Sequence, residues 1–160
     1  MNLVELAKSK GVLICTAESL TAGLVSAEIA KTPGASGILA GGLVVYQDIT
    51  KSQLLGVSAG LIESQSAIDP EVAAQMATSA QARFSRAAGI ESNRMLAIAT
   101  TGVAGPDSVQ GKVPGTVFIA IAFGEQVAVY AEQFLGDRAA VTSSTVERCM
   151  SLIREHLEAI

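Results

Sequence analysis

The strongest constraint on the fold is a set of five short apolar runs, at residues 12–15, 38–46, 95–100, 116–123 and 126–134. Most of them place apolar residues at consecutive positions rather than at every second one. A strand with one wet face alternates polar and apolar residues; a strand apolar on both sides is covered on both. Helical patterns lie between these runs. Residues 2–9 are amphipathic, 20–31 are Ala-rich, 47–55 fit one or two helical turns, and Asp69-Pro70-Glu71 opens a helix that Gly89 ends. Gly124-Glu125 joins the last two runs as a hairpin, and Gly136-Asp137-Arg138 opens a final helix. Its apolar stripe is Val141, Thr145, Cys149, Leu152, Ile153, His156 and Ile160. Strands alternating with helices predict a three-layer α/β/α sandwich with a mixed, mostly parallel sheet, in one domain spanning residues 1–160.

Composition agrees with a buried sheet. Hydrophobic residues make up 49%, aromatics only 4%, and there is no Trp. Small aliphatic side chains let helices pack closely on a sheet. Gly41 and Gly42 inside the second run predict a bulge or a close backbone approach. Cys15 and Cys149 fall in apolar patterns and read as small buried hydrophobes.

Several function classes lose support. The net charge is −4 and no run of Lys or Arg occurs, so no footprint for phosphate backbones exists and no nucleic-acid partner is expected. No apolar stretch reaches the roughly 18 residues that span a bilayer, so no membrane partner is expected. The first residues lack a signal-peptide pattern, which points to the cytoplasm. An aliphatic chain with only 16% charged residues has apolar surface to cover, which predicts a homo-oligomer. No P-loop, dinucleotide fingerprint or G-x-S-x-G motif is present, and no His, Cys and carboxylate cluster has metal-ligand spacing; neither cofactor nor metal is expected.

The chemistry is expected where ligands gather in open α/β sheets, at the C-terminal ends of strands. Three polar or Gly-rich turns fall there: residues 16–23 (TAESLTAG), 46–51, and 100–107 (TTGVAGPD). Ser19 sits where strand turns into helix. It reads either as an N-cap or as a nucleophile whose oxyanion the helix N-terminus would stabilise. Such a serine needs a base. The single histidine, His156, lies on the stripe of the last helix and reads as a packed residue, so a lysine of depressed pKa is the alternative. Tyr46 and Lys51 are five residues apart and can face one pocket. The glycines of TTGVAGPD expose backbone N–H groups suited to phosphate, and Arg138 can grip a phosphate or carboxylate.

Together TAESLTAG, GASGILAGGLVVYQDITK (34–51), TTGVAGPD, PGTVFIA (114–120) and GDR (136–138) resemble the CinA C-terminal domain family, over nearly the whole chain. Its stand-alone members include PncC-type nicotinamide-mononucleotide amidohydrolases. The resemblance implies an α/β/α fold and hydrolysis of nicotinamide mononucleotide to nicotinic acid mononucleotide and ammonia, in pyridine-nucleotide salvage, by a metal-independent serine–lysine site without a cofactor. Carried onto this chain it implies Ser19, Lys51, Tyr46 and Ser36 as catalytic residues, with Ser19 preferred as nucleophile. The small-molecule nucleotide would be held by Glu18, Thr21, Thr101, Gly102, Gly105 and Arg138. The chain departs from the family pattern at Leu20 to Gly23, where Cys-Thr-Gly-Gly is common, at Gln47-Asp48, where Ser-Asn is common, and at Ser108-Val109, where Gly-Gly is common. These changes leave the catalytic groups in place and bear on substrate affinity. Rival readings are a nucleotide-binding module without catalysis and an amidohydrolase for another small amide.

Overall fold

The computed structural model describes residues 1–160. Five strands, β1 (Leu13–Glu18), β2 (Leu39–Val44), β3 (Met95–Gly102), β4 (Thr116–Phe123) and β5 (Gln126–Gln133), form one sheet in the order β2-β1-β3-β4-β5. β1 pairs parallel with β2 and with β3, whereas β4 runs antiparallel to both β3 and β5. Every strand but β4 therefore points the same way, which is the mixed, mostly parallel sheet expected. α1 (Leu3–Lys10), α2 (Leu24–Ala30) and α6 (Arg138–Ala159) cover one face; α3 (Asp48–Leu55), α4 (Ala59–Gln65) and α5 (Pro70–Ala88) cover the other.

The two faces are chemically different because strand side chains alternate. Toward α6 the sheet presents Ile14, Leu96, Ile98, Ile119 and Ile121, packed against Val141, Leu152 and Ile153. Toward α5 it presents Cys15, Ala17, Ala97, Ala99, Ala120 and Ala122, against Val72, Ala73, Met76, Ala77 and Ala80. The alanine face lets α5 lie close to the sheet; the branched face fills the wider gap under α1, α2 and α6. Each fully buried Ile or Leu contributes about 1.5–3 kcal/mol.

Local signals act where the sequence puts them. Asp69 caps α5 by accepting the Glu71 N–H at 2.8 Å, and Gly89 closes it in a left-handed conformation. Asp137 caps α6 through the Ala140 N–H at 2.9 Å. Gly41 and Gly42 show both expected behaviours. The register of β1 on β2 slips between Ile14 and Cys15, which is the bulge. A Cβ on Gly42 would strike the Ser26 and Thr16 hydroxyls, and one on Gly41 would lie 2.8 Å from the Phe84 ring.

Two boundaries differ from the sequence expectation. β1 continues through Thr16, Ala17 and Glu18 instead of breaking into a polar turn, because those polar side chains find partners inside the protein. α2 begins at Leu24, not near residue 20. α4 carries no strong sequence signal.

Candidate active site

The chain leaves β1 for β2 on one side of the sheet, and leaves β2 for β3 on the other side of β1. The C-terminal end of β1 is thus the topological switch point, where open α/β sheets form a crevice. A cavity of about 380 Å³ lies there. The three turns singled out by sequence converge on it: Ser19 and Leu20 after β1, Tyr46, Asp48 and Lys51 after β2, and Thr101 to Asp107 after β3, with Arg138 at the rim.

Ser19 is 7% exposed, and its hydroxyl makes no hydrogen bond within the protein. Its N–H donates to the Thr100 carbonyl at 3.0 Å, which extends the β1–β3 ladder and fixes the turn. The next two N–H groups, of Leu20 and Thr21, have no hydrogen-bond partner in the protein, although both residues are buried. Buried N–H groups are rarely left unpaired, and that of Leu20, which lines the cavity, is free for a ligand oxygen.

The helix N-terminus does not supply that function. Ser19 is not the N-cap of α2; Gly23 is. The first N–H groups of α2 belong to Glu18, whose carboxylate accepts from the N–H of Gly23 (2.9 Å), Val25 (3.0 Å) and Ser26 (2.9 Å). It also accepts the hydroxyls of Thr16 (2.9 Å), Thr21 (2.7 Å) and Ser26 (3.0 Å). Glu18 is 1% exposed and Thr21 is 0% exposed. Neither lines the cavity, so both are corrected from substrate-binding to structural residues: six donors saturate the carboxylate and hold the Ser19 turn from behind.

Lys51 has a side chain only 2% exposed and lines the cavity. α3 aims it inward because Leu55, one turn on, is also buried. Its Nζ donates to the Tyr46 carbonyl at 3.1 Å and lies 3.7 Å from Asp48 Oδ1. Burial lowers its pKa below the ordinary lysine range, and the Asp48 carboxylate offsets part of that fall. No hydrogen bond joins Lys51 to Ser19 across the cavity. Tyr46 is half-exposed; its hydroxyl accepts from Arg138 at 3.4 Å.

Thr101, Gly102 and Gly105 line the cavity as expected. The Thr101 hydroxyl donates to the Ala67 carbonyl at 2.7 Å, which ties the segment after α4 to the site and leaves that oxygen only as an acceptor. The N–H groups of Ala104 and Gly105 make no hydrogen bond within the protein and remain available for an anion.

Ser36 does not belong to the site. It is exposed in the short helical turn that precedes β2, whereas Tyr46 follows β2. Six residues of strand at about 3.3 Å each put roughly 20 Å between the two ends. His156 is elsewhere too, with Nδ1 on the Leu152 carbonyl at 2.8 Å and Nε2 3.3 Å from the Tyr130 hydroxyl. Burial pushes the Cys15 thiol up to about 12 and raises that of Cys149, so neither is a nucleophile. No group of three His, Cys, Asp or Glu side chains is placed to hold a metal ion, and no helix is long and apolar enough to cross a membrane.

Sequence reasoning missed Asp48, Asp107, Leu20 and the pair Ala67 and Ile68, all of which line the cavity. Asp48 had a readable signal, since an acid three residues before a lysine on a helix is its neighbour. Ala67 and Ile68 had none, because they arrive through α4.

Comparison with known proteins places the chain in a family. The chain is 39% identical to a CinA-like protein of Geotalea daltonii over 95% of its length and 35% of the relative's. It is 34% identical to a CinA-like protein of Solibacter usitatus over 90% of its length and 33% of the relative's. It therefore spans about a third of the length of these relatives. Among solved structures, a CinA superfamily protein of Klebsiella pneumoniae superposes with a TM-score of 0.85 at 28% identity, covering 100% of both chains. A competence/damage inducible protein of Agrobacterium tumefaciens gives 0.82 at 27%, covering 98% of this chain and 95% of that one. The profile of the CinA C-terminal domain matches residues 1–157, which include every strand and every residue lining the cavity at the switch point, and the chain belongs to the CinA C-terminal domain family.

Proposed function

We propose that the protein hydrolyses the carboxamide of nicotinamide mononucleotide to nicotinic acid mononucleotide and ammonia, with Ser19 as nucleophile and Lys51 as general base. The observation that carries this reading is the pairing, in one cavity, of an unbonded serine hydroxyl with a buried lysine whose pKa is lowered. A neutral amine is what a serine needs where no histidine is at hand.

The residues divide the work as follows. Lys51 Nζ takes the Ser19 proton as Oγ attacks the carboxamide carbon. The oxyanion of the tetrahedral intermediate accepts from the Leu20 N–H, which directly follows the nucleophile on the cavity wall. Collapse expels the amine, which takes a proton from Lys51 and leaves as ammonia. Water then attacks the acyl-serine ester, Lys51 accepts its proton, and the acid departs with Ser19 reprotonated. The free N–H groups of Ala104 and Gly105 and the Arg138 guanidinium would hold the phosphate. The missing Ser19–Lys51 hydrogen bond is expected to form with substrate present, since such contacts are often long without it.

That same missing bond favours one rival, a module that binds the nucleotide without turning it over. The deciding experiment is ammonia release from metal-stripped protein given nicotinamide mononucleotide, with nicotinamide and glutamine as controls. Release from the mononucleotide alone supports the amidohydrolase. No release, with nucleotide binding seen by calorimetry, supports the module. The proposal includes a homo-oligomer, supported by large apolar side chains left on the surface, among them Leu135 (86% exposed), Ile49 (60%) and Val113 (55%).

A further inference from the structure

We propose that Asp48 is a positioning residue for Lys51, whose carboxylate holds the ammonium form against the cavity wall in the free protein, so that the amine becomes a base when substrate loosens the pair. The role of Lys51 as base rests on the proposed function; the pair itself does not.

The geometry is asymmetric. Lys51 Nζ is 3.7 Å from Asp48 Oδ1, but the lysine side chain is 2% exposed and the aspartate 48%. The cation cannot turn to water, so it depends on its neighbours, whereas the carboxylate can swing away. The pair is set by α3: the two residues stand three apart, and Asp48 is the first residue of the helix, where the N-terminal N–H groups favour a negative charge. The other groups around Lys51 do not share this task. From the end of β2 the Tyr46 carbonyl accepts a hydrogen bond, and the Tyr46 hydroxyl is occupied by Arg138 of α6. From the loop after β3, Asp107 lines the cavity but forms no ion pair with Lys51. Asp48 is thus the one carboxylate within ion-pair distance of the amine.

The consequence is a link between substrate charge and base strength. A cationic ring entering this cavity competes with the ammonium for Asp48 and repels it, and both effects release the proton. A substrate without that charge leaves the pair intact.

Lys51 titration reads the pair directly, without turnover. The chain has five lysines, so uniformly carbon-13-labelled lysine gives a small set of Cε signals, and Lys51→Met identifies the relevant one. In Asp48→Asn the midpoint should fall by about half a pH unit, the size expected for a half-exposed ion pair. Asp48→Glu, which restores the charge, should return toward the wild-type midpoint. With nicotinamide mononucleotide as substrate, the acid limb of kcat/KM in Asp48→Asn should move down by the same amount. An unchanged or raised midpoint in Asp48→Asn, or a midpoint in Asp48→Glu that stays with it, overturns the role of Asp48. If the wild-type protein releases no ammonia, the amidase reading falls, and the Lys51 midpoints still decide the inference.

Discussion

Glu18 and Thr21 flank Ser19 and Leu20 in sequence, and they hydrogen-bond to each other at 2.7 Å while neither lines the cavity that Ser19 and Leu20 do line. The turn therefore has an inner side that holds it and an outer side that faces ligand. The Thr100 hydroxyl extends the inner side, 2.9 Å from that of Thr21 and 3.4 Å from the Ser19 N–H. A serine on a short turn is held rigidly when the turn is anchored in this way: five of the six donors to Glu18 come from the segment Thr21 to Ser26, and the sixth, Thr16, comes from β1 beneath it.

Removing that anchor should unfold the site, not merely weaken binding. Glu18→Ala leaves buried hydroxyls and N–H groups without an acceptor and should cost about 3–5 kcal/mol. Denaturant titration measures it. A stable Glu18→Ala protein with poor substrate affinity would restore Glu18 to the binding residues.

Ser19→Ala should abolish ammonia release, by at least about a thousandfold in kcat, with thermal stability close to wild type. Ser36→Ala should leave kcat unchanged, since Ser36 sits beyond the other end of β2. Steady-state kinetics on the two variants assigns the nucleophile; the reverse pattern would move it to Ser36.

Lys51→Met should remove activity and stabilise the fold by roughly 1 kcal/mol at neutral pH, because a buried amine is replaced by an apolar side chain of similar length. The sign of the pH dependence follows from the lowered pKa. Between the folded-state value and the ordinary lysine value of 10.5, the unfolded chain binds more protons, so wild-type stability rises with pH through that window. The gap between variant and wild type should therefore shrink as pH rises. Thermal melts across neutral to alkaline pH check this; a gap that widens would mean Lys51 is stabilised as the ammonium.

Arg138→Ala should raise KM for nicotinamide mononucleotide about 10- to 100-fold, as expected for loss of one charge-assisted contact, with a smaller change in kcat. Tyr46→Phe removes only a 3.4 Å hydrogen bond to that arginine and should change KM no more than a few-fold. If Arg138→Ala lowered kcat and left KM alone, the arginine would act on the reacting carboxamide and not on the phosphate.

The sequence by itself determined the layers, the strands, most helix ends, and the three turns that meet at one end of the sheet. These follow from local causes: apolar runs without alternation, Asp and Pro at helix starts, and Gly where a left-handed residue or a close approach is required. It also singled out Ser19, Tyr46, Lys51, Thr101 and Arg138, all of which line the cavity. Tertiary structure alone decided which way each side chain faces. Glu18 turns inward because only there do six donors meet one carboxylate. Ser36 leaves the site because β2, as a parallel strand, carries its two flanking segments to opposite ends of the sheet. Ala67 and Ile68 reach the cavity because Thr101 bonds the Ala67 carbonyl across a gap of 34 residues in the chain. Local patterns set where a strand or helix stands, but the pairing of buried polar groups is a condition on the whole packed chain, and no window of sequence contains it.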